Sequence, residues 1–102
     1  MKRIKVGGVH YEVREVPELM RKYNLFGQVT YSDAVIEVER ELPEERKEQV
    51  IIHELVHAML FEAGIEEQDE DLVNRLGKVL HQVLRDNPNL LKPRIRYDGD
   101  DS

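Results

Sequence analysis

The chain contains no cysteine, which excludes disulfides, thiolate metal sites and a thiol nucleophile. It contains no apolar run near the ~20 residues that a membrane span needs, so no membrane partner is expected. The opening MKRIKVGGVHYEV has basic residues but no apolar stretch behind them, and so does not read as a secretory signal. Basic residues are also in deficit. Lys+Arg number 15 against Asp+Glu 21, and the net charge of -6 argues against nucleic acid as the main partner. These absences together predict a cytoplasmic protein. At 102 residues there is room for one domain, which buries roughly 60–65% of its unfolded surface.

The patterning predicts α+β. Over residues 1–16, Ile4 and Val6, then Val9, Tyr11 and Val13, alternate with polar residues around a Gly7-Gly8 turn. Pro17 opens a short helix, Glu18 to Tyr23, at a favoured first position, and Asn24 and Gly27 close it. Val29 and Tyr31 lead through Ser32-Asp33 to Val35, Ile36 and Val38, a second strand pair. Pro43, Glu44 and Glu45 start a helix that runs to about Ala63, with Gly64 as its stop. Its middle, VIIHELVHAML, is apolar nearly all round and predicts the buried centre of the domain. Asp69 is a good N-cap for a last helix, Glu70 to Asp86, with Leu72, Leu76, Val79, Leu80, Val83 and Leu84 as its apolar face. Residues 1–87 form the domain on this reading, and 88–102 a C-terminal tail, disordered in part. The expected fold is a small, mostly antiparallel sheet packed on a central helix and a C-terminal helix.

That central helix carries His53-Glu54-Leu55-Val56-His57, an HExxH string. Residues four apart share a helix face, so two imidazoles converge on one point. Two imidazole nitrogens suit Zn²⁺. Glu54 is rotated by about 100° from His53, where a carboxylate can take a proton from water without being a ligand. A buried helix gains nothing from unpaired His-Glu-His, because each unsatisfied polar group costs roughly 1–3 kcal/mol. A third ligand is then needed, and the acids downstream are Glu62, Glu66, Glu67, Asp69, Glu70 and Asp71. On a helical wheel Glu70 lies on the shoulder of the apolar face, in line with Val73, Gly77 and His81, whereas Asp71 points away. If the last helix packs on the HExxH helix, Glu70 can reach the metal. Gly77 fits that picture, since glycine inside a helix marks close backbone approach.

HELVHAMLFEAG followed by EDLVNRLGKVL resembles the gluzincin type of zinc metallopeptidase. It looks most like the short members, the minigluzincins and the ImmA/IrrE-like metallopeptidases of bacteriophages and their hosts. The resemblance covers roughly residues 26–87. It implies a minimal zincin-like fold, His53 and His57 as ligands, Glu70 as third ligand and Glu54 as general base in peptide hydrolysis. A peptide or protein substrate follows from it, and a phage protein would act in host cytoplasm. The chain lacks the second subdomain of larger gluzincins.

Tyr31 and His81 are candidate transition-state stabilisers, with His10 a lesser one. Val35 to Val38 is the candidate sheet edge for holding a substrate strand. Met20, Met59, Phe26 and Phe61 read as core filler. Lys92-Arg94-Arg96 with Ile95 and Tyr97 could lie over the metal cleft and keep an enzyme latent. A different class of function, a non-hydrolytic zinc-binding regulatory module, keeps the same metal residues but needs no base at Glu54.

Overall fold

The computed structural model describes residues 2–92. Four strands and three helices follow in the order β1 (Lys2–Val6), β2 (Val9–Val16), α1 (Leu19–Tyr23), β3 (Gly27–Thr30), β4 (Val35–Glu39), α2 (Glu44–Glu62) and α3 (Glu70–Asp86). The class is α+β. The sheet is mixed, in the order β1-β2-β4-β3. Both outer pairings are antiparallel, but β2 and β4 run parallel at the centre, with Val13 opposite Ile36.

Local chemistry explains the elements. Gly7 and Gly8 both have positive φ, 56° and 95°, which a tight two-residue hairpin requires. Pro17 does not open α1, contrary to expectation. Glu18 takes a left-handed conformation ahead of Leu19, so the helix starts two residues beyond the proline. Pro43 caps α2, whose first turn holds Glu44 and Glu45. Gly64, at φ 87°, follows the helix in the left-handed region that favours glycine.

The core lies between the sheet and α2. Val6, Tyr11, Val13 and Ile36 meet Ala58, with Val29, Ile51 and Leu55 around them. Full burial of each such aliphatic contributes about 1.5–3 kcal/mol. Polar groups drawn into this layer are satisfied. The Tyr11 hydroxyl donates to Glu62 Oε2 at 2.7 Å. Lys47 Nζ meets Glu15 Oε1 at 2.9 Å and Glu44 Oε2 at 3.1 Å. Glu39, 4% exposed, accepts from the backbone N–H of Met20 at 2.8 Å and of Glu41 at 3.1 Å.

Several expectations are corrected. Val35–Val38 is not an edge, because β4 is paired on both sides; the edge strands are β1 and β3, and β3 is the edge beside β4. Helix α2 is not buried all round. One side faces the sheet and another faces α3, leaving Met59 exposed. Phe26, Met20 and Phe61 are also exposed rather than core filler. In α3 the apolar residues Leu72, Leu76, Val79 and Leu84 stay exposed, while Val73 and Gly77 are buried. The helix packs on the shoulder of its apolar face, not on its centre. Residues 87–92 follow α3 without helix or strand; the proposed tail segment beyond Lys92 lies outside the described residues. Among the described residues no helix is long and apolar enough to cross a membrane.

Candidate metal centre

Helix α2 presents His53 and His57 one turn apart, with ring centroids 5.0 Å apart. Helix α3 begins opposite them. Its N-cap Asp69 accepts from the backbone N–H of Asp71 at 3.0 Å, which fixes where the helix starts and so which side each first-turn residue faces. Glu70 then turns toward α2. Its Oε2 stands 3.0 Å from His57 Nε2, and its Oε1 stands 3.4 Å from His53 Nε2. Asp71 faces outward and pairs with Arg75 at 2.9 Å. One ligand-capable atom from each of His53, His57 and Glu70 lies within 4.8 Å of the others. A group of this kind can hold a metal ion.

The two rings and the Glu70 carboxylate are close enough to share a cation or a proton. His57 Nδ1 shares a short hydrogen bond with Gln68 Oε1. The Gln68 amide nitrogen donates to the His57 carbonyl at 3.2 Å, so its oxygen faces the ring as an acceptor. His57 Nδ1 is thus the donor to Gln68, and Nε2 is the ring nitrogen that faces the Glu70 carboxylate. An unprotonated Nε2 and a carboxylate at that distance repel unless a metal ion or a proton lies between them. For His53 that proton is disfavoured, because burial, and then the neighbouring His57, push its pKa down. Two imidazoles and a carboxylate are a donor set that would fit Zn²⁺.

Glu54 lies beside the cluster, 9% exposed. Burial, then the Glu70 charge, pushes its carboxyl up to about 7, against an opposing pull from His57. Strand β3 comes close to Glu54 at Gly27, whose missing side chain makes this possible. A Cβ at Gly27 would meet Val50 Cγ1 at 2.5 Å and the Glu37 carbonyl at 2.8 Å, and would lie 3.7 Å from Glu54 Cγ.

The other candidates divide. Tyr31 stacks on Phe61 at 4.2 Å and its hydroxyl is 3.4 Å from Gln68 Oε1, so it stands at the margin of the site. Burial, and more weakly Glu54 and Glu70, raises its pKa. His81 lines the cleft that also contains His53 and Glu54, but its Nε2 is turned to Glu48 at 3.3 Å. His10 is exposed on β2, paired with Lys5 of β1 at the far side of the sheet from β3. Gln68 was not anticipated from the sequence. The general signal is that a ligating histidine has a partner for its second nitrogen, but Glu66, Glu67 and Gln68 all qualify by position.

No protein-family model, curated protein or solved structure matches the chain.

Proposed function

We propose that this protein is a zinc-dependent peptidase of minimal gluzincin-like form. The observation that carries the reading is the convergence of His53, His57 and Glu70, with His53 and the buried Glu54, which has no hydrogen-bond partner among the described residues, lining a cleft of about 630 Å³. His53, His57 and Glu70 would hold the ion. When bound, zinc supplies Lewis acidity, lowering the pKa of water toward ~7 and polarising a carbonyl. Glu54 accepts a proton from the attacking water at its carboxylate and delivers it to the leaving amine. Its low exposure keeps that carboxyl close to neutral pH in proton affinity, which suits both halves of the task. Gln68 holds the His57 ring in one tautomer. The free edge of β3 offers backbone groups on which an extended peptide can lie as an added strand. Tyr31, whose hydroxyl meets Gln68 at the margin, is the candidate donor toward a developing oxyanion.

The test has two arms. Metal content by native mass spectrometry should show one zinc in wild type and Asp71→Ala and none in Glu70→Ala. A peptide library with zinc should be cut by wild type and not by Glu54→Gln. Zinc bound without cleavage by wild type would favour the non-hydrolytic regulatory module instead.

A further inference from the structure

The cleft beside the candidate metal centre is unevenly charged. In a chain of net charge -6, its wall away from Tyr31 carries Arg46 from α2 and Lys78 and Arg85 from α3. Among the described residues, Glu54 is the one carboxylate in that lining, and it is buried at the inner end. Nearby acids are already engaged. Glu44 pairs with Lys47, Glu48 with His81, Asp71 with Arg75, and Glu45 and Asp86 with Arg85 at 3.6 Å each. That leaves Arg46 and Lys78 without an ion-pair partner among the described residues.

Their spacing has a length. Gly77 sits against His53, its notional Cβ 3.7 Å from the His53 Cα. Lys78 follows directly, and Arg85 lies eight residues on, about 12 Å along α3. Arg46 precedes His53 by seven residues, about 10 Å along α2. An extended peptide rises about 3.3 Å per residue, so these cations cover roughly three to four substrate residues on one side of the metal ligands. We infer that this half of the cleft is a subsite for acidic side chains, selecting peptides with Asp or Glu two to four residues from the bond at the metal centre. The position of that bond rests on the peptidase reading; the binding preference does not. The acidic character of the whole chain repels an extended polyanion such as nucleic acid, whereas a short acidic segment meets only the cationic wall.

Zinc-loaded Glu54→Gln separates binding from cleavage. Two labelled peptides of equal length, one with an acidic triplet and one with a lysine triplet, are compared by fluorescence anisotropy. Two partly exposed ion pairs, at Arg46 and Lys78, support up to about a tenfold preference for the acidic peptide at low salt. The preference should shrink as the Debye length falls below ~8 Å. Adding Arg46→Gln and Lys78→Gln should reduce it to about twofold or less, with circular dichroism confirming the fold, and the Lys78→Glu charge reversal alone should bring it close to one. Equal binding of both peptides, a preference untouched by these changes, or a short oligonucleotide that binds as tightly as the acidic peptide would overturn the inference. If acidic peptides bind as expected but wild type cuts nothing, the subsite stands and the hydrolytic reading fails. If wild type cuts without enrichment of acidic residues, the reverse holds.

Discussion

Glu54 should be a burden on the folded protein when zinc is withheld. The carboxyl is 9% exposed, and its pKa rises from an ordinary 4.5 to about 7, chiefly through burial. That displacement corresponds to about 3 kcal/mol at ~1.4 kcal/mol for each tenfold. The sign follows from proton counting. Between 4.5 and about 7 the folded state holds the Glu54 proton and the unfolded state has released it. Stability therefore falls as pH rises through that window, and above it the whole penalty is present. Glutamine has nearly the same shape and no charge to bury. Chelator-treated Glu54→Gln should thus exceed wild type by about 3 kcal/mol near pH 8 and match it near pH 4. Urea denaturation at the two pH values reads this directly. Excess zinc should narrow the gap near pH 8, since a cation beside the carboxylate favours its charged form. A gap that is equal at both pH values, or wild type the more stable near pH 8, would refute the reasoning. Either result would mean that Glu54 is solvated and does not bear a desolvation penalty.

Gln68→Ala leaves all three candidate ligands but frees the His57 ring, and zinc affinity by chelator competition should fall about 10–100-fold. Gly27→Ala drives a methyl group into Val50 and the Glu37 carbonyl, and should lose about 1–3 kcal/mol in thermal denaturation. Gly77→Ala meets only an ordinary contact with His53, and should gain up to about 1 kcal/mol from helix propensity with zinc affinity unchanged. The backbone N–H groups of Met20 and Glu41 hold the Glu39 pKa below its ordinary 4.5. Its contribution is complete above that value and is lost as pH falls through the lower, folded-state pKa, so Glu39→Gln should flatten the acid limb of a stability–pH curve.

What the sequence made legible was what depends on neighbours in the chain. Pro43 with Glu44 and Glu45, Gly64, and Asp69 each marked a helix end, and each stands at one. The four-residue spacing of His53 and His57 needed only a helix to become a pair, and the wheel separated Glu70 from Asp71 correctly as to direction. What stayed hidden depends on tertiary partners. Glu37 and Glu39 put charge on a strand that reads as a sheet edge, yet Gln28 binds one at 2.6 Å and backbone N–H groups bind the other. The parallel pairing of β2 with β4 then moves that edge to β3, which no local pattern records. Phe26 and Phe61 were assigned to the core by size, but Phe61 is used at the surface, stacked on Tyr31.

The rotation of α3 connects these observations. Had the helix packed on the centre of its apolar face, Leu72, Leu76 and Val79 would be covered, and Glu70 would swing away from the histidines. Instead the line Glu70–Val73–Gly77 faces α2, and those three apolar residues are left exposed. Hydrophobic burial alone argues against this arrangement, because each aliphatic side chain left in water forgoes up to about 1.5–3 kcal/mol. Val73 and Gly77, being small, let the helices approach closely, but close packing does not require a carboxylate at Glu70. A cation shared by His53, His57 and Glu70 would bind only the folded state with α3 in this rotation, and so would stabilise it in proportion to the tightness of binding. On the metal-bound reading proposed above, the phase of α3 would be set by Glu70 rather than by what its apolar face covers.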